Sequence, residues 1–227
     1  MATNYRILLE GIKNRIKNSG ILGKSEYGKT WQDKNSEWYS KLFNATPVFH
    51  ENFMEFMKSR KDIQTILEVG CGAGVYPIKY KDLFSGMKYT GIDISKPAIS
   101  HCKENSDFEF ICGDLIEMNL EQKYDLVFSQ SVIDHVYDID LFLSKIIKAC
   151  TKYAYVSSYR GYFPEINKHK MMWRDDDGCY YNDLSVKQIH NVMLEHGLKQ
   201  DEFTIRKQET GQKGLEFGTV IEISRKM

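Results

Sequence analysis

Apolar positions change their spacing near residue 64. Before it, Tyr5, Leu8, Leu9, Ile12 and Ile16 recur at helical intervals, and Trp38, Tyr39, Leu42 and Phe43 do so again, which predicts helix through most of residues 1–60. After it, short runs rich in β-branched and aromatic residues alternate with helical ones. The strand candidates are 64–69 (QTILEV), 88–92 (KYTGI), 107–112 (DFEFIC), 124–128 (YDLVF) and 152–157 (KYAYVS). Helix signals fill the gaps: Pro77 in an opening turn with Gly86 past its end, Ser95 as N-cap with Pro97 just inside, and a start near Asp138 or Asp140 ahead of Leu141, Phe142, Ile146 and Ile147. This alternation predicts right-handed crossovers and a parallel sheet covered by helices.

The rhythm lapses over 158–184, SYRGYFPEINKHKMMWRDDDGCYYNDL, where neither period holds. A stretch that long without regular structure is usually functional or disordered. Ser185 and Gln188 then read as a capping box opening SVKQIHNVMLEHG, with Gly197 as its stop. Runs 202–208 and 216–223, joined through ETGQKG, predict an antiparallel hairpin. The expected organisation is one α/β domain over 61–227, an N-terminal helical segment over 1–60 that caps it, and an insertion at 158–184.

Charge narrows the partners. Lys plus Arg and Asp plus Glu are equal at 31 each, so no overall field draws the 227-residue chain toward nucleic acid or an anionic membrane. A small neutral or mixed-charge ligand fits better. The five cysteines, Cys71, Cys102, Cys112, Cys150 and Cys179, are odd in number and lack CxxC spacing, which suits reduced thiols. The N-terminus has no signal-peptide core and no stretch approaches the ~20 apolar residues of a membrane span, so a soluble, cytoplasmic protein is expected.

The chemistry gathers at strand ends. ILEVGCGAGVY, residues 66–76, sets Gly70, Gly72 and Gly74 directly behind the first strand, the usual ligand position in an open α/β sheet. Bare backbone there lets a ligand lie against the main chain. A dinucleotide motif would need a third glycine at Val75, and none is there. Asp93 closes the second strand, where a carboxylate can accept both hydroxyls of a ribose. Asp114 closes the third, placed either to accept from an adenine amine or to cap the next helix.

With LEVGCGAG, YTGIDIS, FICGDLIEM and YDLVFSQSVIDHV at successive strand ends, residues 64–223 resemble the class I S-adenosylmethionine-dependent methyltransferases. The resemblance implies a Rossmann-like, doubly wound seven-stranded sheet in the order 3-2-1-4-5-7-6, its last strand antiparallel. It further implies S-adenosylmethionine as cofactor. Gly70, Cys71, Gly72 and Gly74 would floor the methionine part and Glu68 orient the loop and the amino group. Asp93, with Ile94, would hold the ribose, Asp114 and Leu115 the adenine, and the carbonyl of Ser129 would approach the amino-acid end.

A hydroxyl acceptor must lose a proton, and His135, just past the fourth strand, is the candidate base, with His169 its rival. Tyr159, Arg160, His169, Trp173, Tyr180 and Tyr181 mix rings and hydrogen-bonding groups that suit a polyhydroxylated acceptor such as a free or nucleotide-linked sugar. The plainer reading of this segment is a solvated loop. Tyr27, Trp31, Trp38 and Tyr39 either fold over the donor as a lid or pack as an ordinary amphipathic face. Asp134 with Asp175, Asp176 and Asp177 carries no metal-ligand signature, and no metal is expected. The alternatives are N-methylation of a small amine, with Tyr180 and Tyr181 as an aromatic cage, a catalytically silent donor-binding protein, and a nicotinamide oxidoreductase that Val75 disfavours.

Overall fold

The computed structural model describes residues 26–34, 38, 39, 41, 43 and 48–226. The helical expectations for Tyr5 to Ile16 and for Leu42 lie outside them. The strands are β1 (Thr65–Val69), β2 (Lys88–Asp93), β3 (Glu109–Cys112), β4 (Tyr124–Gln130), β5 (Cys150–Ser157), β6 (Lys170–Arg174), β7 (Cys179–Asp183), β8 (Phe203–Gln212) and β9 (Leu215–Ser224). Seven of them form one sheet, β3-β2-β1-β4-β5-β9-β8, with β6 and β7 paired separately. Counted without that pair, the order is the expected 3-2-1-4-5-7-6, and β9 runs antiparallel to β5.

Both sheet faces are apolar because successive strand residues point to opposite sides. Ile66, Leu126, Phe128 and Tyr155 face a layer that includes Phe53, Phe56 and Met57 of helix α1 (Val48–Lys58). Leu67, Val127, Ala154 and Val156, their neighbours in sequence, face the other layer. Helix α2 (Lys96–Asn105) adds Ile99 and Cys102 to the α1 layer, and the second layer holds α3 (Ile139–Ala149) and α4 (Val186–Glu195). Phe53 stacks on Phe128 with ring centroids 4.3 Å apart. Burying each such ring is worth ~1.5–3 kcal/mol, so α1 belongs to the body of the domain. Ser95, Asp138 and Ser185 cap α2, α3 and α4 through Ala98, Leu141 and Gln188 N–H groups.

Three expectations need correction. The segment after β1 is not a regular α-helix: a π-helical turn, Val75–Lys79, leads to a 3₁₀ turn, Lys81–Phe84. Pro77 supplies no N–H there, and eight positions along a regular helix would fan Tyr76 and Phe84 apart by about 80°. The two unequal turns bring both rings into one core, centroids 6.3 Å apart.

Second, 158–184 contains a hairpin, in which β6 and β7 pair antiparallel with Trp173 opposite Tyr180 and a turn at Asp175–Gly178. Its alternation is obscured because β6 is almost wholly exposed. Third, only half of the capping box forms. Ser185 Oγ accepts from Gln188 N at 3.1 Å, but the Ser185 N–H goes to His169 Nδ1 at 2.9 Å while the Gln188 amide bridges His169 N and Asp140.

Candidate active site

Gly70, Gly72 and Gly74 all adopt left-handed φ, at 77°, 50° and 73°. A Cβ on Gly70 would sit 2.1 Å from Val132 Cγ2, so the turn out of β1 excludes any side chain. The Gly70 and Cys71 N–H groups both donate to the Ile92 carbonyl, at 2.7 and 3.1 Å. Gly72 N donates to Asp93 Oδ2 and Ser95 N to Asp93 Oδ1, each at 2.8 Å. Burial lifts the Asp93 pKa, and these two backbone bonds oppose the shift. Asp114 Oδ1 accepts from Ile116 N at 2.9 Å, so this carboxylate caps the turn after β3 and also borders the ligand space.

These strand ends wall a cavity of about 310 Å³. Gly70 and Gly72 floor it, and Asp93, Ile94, Asp114 and Leu115 line one side. At the other end stand Gln130, Ser131, Val132, His135 and Tyr159, and above lie Tyr27, Trp31, Trp38 and Tyr39. The upper segment is tied down at several points. Gln32 Nε2 donates to the Ile94 carbonyl at 2.6 Å, Ser95 Oγ to the Trp31 carbonyl at 2.8 Å, and Gly28 N to the Gly178 carbonyl in the hairpin turn at 3.1 Å.

Four of the residues expected at the donor do not line this cavity. Glu68 is buried beneath the loop, its carboxylate accepting the Tyr89 hydroxyl, and burial holds its pKa well above the ordinary range. Cys71 and Gly74 pack toward Cys102, and Ser129 Oγ donates to the Val69 carbonyl at 2.8 Å. The following residue, Gln130, does line it. Its Nε2 donates to Tyr76 Oη at 2.6 Å, Tyr76 Oη lies 2.5 Å from His50 Nδ1, and Gln130 Oε1 is left buried without a hydrogen-bond partner. Sequence reasoning missed Gln130, Ser131 and Val132, although they directly follow a strand end already marked as functional. Ser131 holds φ 57°, a left-handed value rare outside glycine, which turns this segment into the cavity.

Beyond the β4 end the hairpin closes around His135. Its Nδ1 lies 2.9 Å from the Tyr180 carbonyl and its Nε2 2.9 Å from Tyr159 Oη. The rings of Trp31 and Tyr181 pack edge-on to the imidazole with centroids 5.8 and 5.5 Å away. Cys179 Sγ is 3.6 Å from Nδ1, and burial pushes this thiol up to about 11. The Arg160 guanidinium lies 4.1 Å from the Tyr181 ring centroid, and its Nε is buried without a partner.

His169 and Trp173 stand elsewhere. His169 is locked into the start of α4 and faces Asp140, and Trp173 donates from Nε1 to Asp175 at 2.7 Å on an exposed strand. Asp134 is committed to the 158–160 turn, apart from the hairpin tip that carries Asp175, Asp176 and Asp177. Among the described residues, no group of three His, Cys, Asp or Glu is arranged to hold a metal, and no helix is long and apolar enough to cross a membrane.

Comparison with known proteins agrees with this fold. Residues 60–208 match the methyltransferase-domain family. The chain is 31% identical over 117 residues to pavine N-methyltransferase of Thalictrum flavum subsp. glaucum, covering 49% of this chain and 31% of that one. It is 29% identical over 154 residues to a ubiquinone biosynthesis O-methyltransferase of Pelagibacter ubique, covering 60% and 62%. It therefore spans less than two thirds of either relative's length. The crystal structure of magnesium protoporphyrin IX methyltransferase from Synechocystis PCC 6803 with bound SAM shares the fold, with TM-score 0.57 and 15% identity over 94% of this chain and 97% of that one.

Proposed function

The chain belongs to the methyltransferase-domain family, and we propose that it transfers a methyl group from S-adenosylmethionine to a hydroxyl of a small polar acceptor. A sugar or nucleotide-linked sugar is the class the site favours. One observation carries the reading: a side-chain-free floor, Gly70 and Gly72, shares a cavity with carboxylates at two successive strand ends, Asp93 and Asp114. The residues present fit the donor. The Gly70 cradle would be filled by any Cβ, and the orphaned Gln130 Oε1 offers an acceptor at the cavity wall.

Asp93 would take the ribose hydroxyls, Asp114 with Leu115 the adenine, and Gln130 Oε1 an N–H of the amino-acid end. When bound, the donor supplies an electrophilic methyl on a cationic sulfur. The protein's main task is then to align the acceptor oxygen with that carbon, and few further catalytic groups are needed. His135 lines the cavity on the β4 side of β1, across from Asp93 and Asp114 at the ends of β2 and β3, and is the residue on which a hydroxyl's proton would come to rest.

Tyr159 supports the acceptor class, because its ring and hydroxyl line the cavity beside His135 and suit a sugar's apolar face and hydroxyls. Arg160 and Tyr181 do not line the cavity and pack on each other next to Tyr159. A second reading, N-methylation of a small amine, is supported by the aromatic cover of Tyr27 and Trp31, which suits the positive charge that appears on nitrogen as a neutral amine takes the methyl, and a neutral amine would require no base for that step.

Calorimetry of the chain with S-adenosylmethionine and with NAD tests the donor assignment. We expect an isotherm with the first alone, weakened at least tenfold by Asp93→Ala. An isotherm with NAD and none with the sulfonium compound would defeat it. Mass-spectrometric detection of a 14 Da gain across panels of sugars, nucleotide sugars and amines, with or without a chelator, then separates O- from N-methylation.

A further inference from the structure

We infer that Tyr159 is the group that takes the acceptor's proton, handing its own to His135 in the same step. This deepens the methyl-transfer reading above and rests on it. The argument starts from hydrogen-bond polarity. A peptide carbonyl only accepts, so the 2.9 Å contact between His135 Nδ1 and the Tyr180 carbonyl places the imidazole hydrogen on Nδ1. Nε2 is then the basic nitrogen. Its lone pair is already engaged, because Tyr159 Oη sits 2.9 Å away and can satisfy it only by donating. An acceptor hydroxyl entering the cavity therefore meets the phenol oxygen, which has a lone pair to offer, before it meets a basic nitrogen.

Tyr159 is held for this part by its backbone. The buried carboxylate of Asp134 accepts from Ser158 Oγ at 2.5 Å, from Tyr159 N at 3.4 Å and from Arg160 N at 3.2 Å, and Ser158 N donates to the Thr219 carbonyl at 2.8 Å. The turn presenting the phenol is thus anchored both to the residue beside His135 and to β9. Burial raises the phenol's pKa, which makes a standing phenolate unfavourable and favours concerted transfer.

The step balances. The acceptor O–H breaks and its proton joins Tyr159 Oη, while the original Tyr159 proton joins His135 Nε2. The acceptor oxygen's electron pair forms the bond to the methyl carbon, and the methyl–sulfur bond breaks with its pair left on sulfur. One positive charge disappears at sulfur as one appears on the imidazole, next to the Asp134 carboxylate and the Tyr180 carbonyl.

Two measurements test the relay. In protein carrying ¹⁵N-histidine, long-range proton–nitrogen spectra should show the hydrogen of neutral His135 on Nδ1, a result that requires no acceptor. With an acceptor in hand, Tyr159→Phe keeps the ring and removes the hydroxyl. It should lower kcat at least ~100-fold, the scale of a lost acid–base group, while acceptor KM and calorimetric donor Kd stay within threefold. The unaltered enzyme should give a curved proton inventory, with two protons in flight. An Nε2–H tautomer, or a Tyr159→Phe enzyme within threefold of the original kcat, would overturn the relay. Loss of donor binding by the unaltered chain would instead defeat the methyl-transfer reading itself.

Discussion

Alanine at position 70 must place a Cβ on a backbone with φ 77°, and that atom must occupy a point 2.1 Å from Val132 Cγ2. The left-handed conformation costs an ordinary residue ~1–2 kcal/mol. Forcing a methyl into filled space costs a further ~1–3 kcal/mol. Gly70→Ala should therefore lose ~2–5 kcal/mol, a large share of the ~5–15 kcal/mol that holds a domain folded. The two costs are separable. Val132→Ala removes the clashing Cγ atoms, after which the nearest remaining Val132 atom is Cβ at 3.3 Å, tight but tolerable.

A double-mutant cycle should thus show a favourable coupling of ~1–3 kcal/mol, the clash being relieved and the backbone strain retained. Urea unfolding of the four proteins measures it. Donor calorimetry on the same four should show Gly70→Ala weakening binding at least tenfold, with partial recovery in the double variant. Additivity within ~0.5 kcal/mol, or wild-type stability for Gly70→Ala, would refute the close approach between the two turns.

Other perturbations probe the supports of the site. Burial holds His50 down to about 4 from 6.5, so the unfolded chain binds this proton first and stability should fall as pH drops through that window. By pH 5 the loss is about 2 kcal/mol, and urea midpoints of wild type and His50→Gln at pH 7 and pH 5 should differ by that slope. Glu68 is shifted the other way: its carboxyl is raised by burial, so its contribution is full below 4.5 and is lost as pH rises through the folded pKa. Glu68→Gln, which can still accept from Tyr89, should match or exceed wild-type stability at pH 8. A deficit that widens with pH would contradict this. A Cβ on Gly218 would lie 1.9 Å from the Ser158 carbonyl, so Gly218→Ala should displace the turn carrying Tyr159. Turnover should drop more than tenfold with donor affinity retained, read by calorimetry beside initial rates.

The glycine and carboxylate wall of the cavity was largely legible in the linear pattern because it is built from strand ends. A strand pointing at a ligand needs only its own terminal residues, and Gly70, Gly72, Asp93 and Asp114 each follow a recognisable β run. The strand pleat decides why Glu68 and Ser129 do not line the cavity. Val69 lines the cavity while its neighbour Glu68 is buried with Tyr89, and Gln130 lines it while Ser129 is tied to the β1 backbone. An alternation of two swaps site for support within a single step along the chain.

The surroundings of His135 follow a different logic. His135 is positioned by Tyr159 and Tyr180, 24 and 45 residues away, and Gly28 is tied to Gly178 across most of the domain. Such neighbours depend on hairpin register, which hydrophobic spacing does not report when one strand is exposed. The Asp177–Gly178 pair between KMMWR and CYYND was the local clue, a turn dipeptide flanked by β-prone runs. Taken as a hairpin, it aligns Trp173 with Tyr180 and Met171 with Asn182. Asn182 is the fully buried residue whose amide donates to the Ile133 and Val136 carbonyls, and its own N–H reaches the Asp134 carbonyl at 2.9 Å. Those three bonds fasten β7 to the turn holding His135, so the register of a hairpin with one exposed strand, legible only in three dimensions, sets the Tyr180 carbonyl against the imidazole Nδ1.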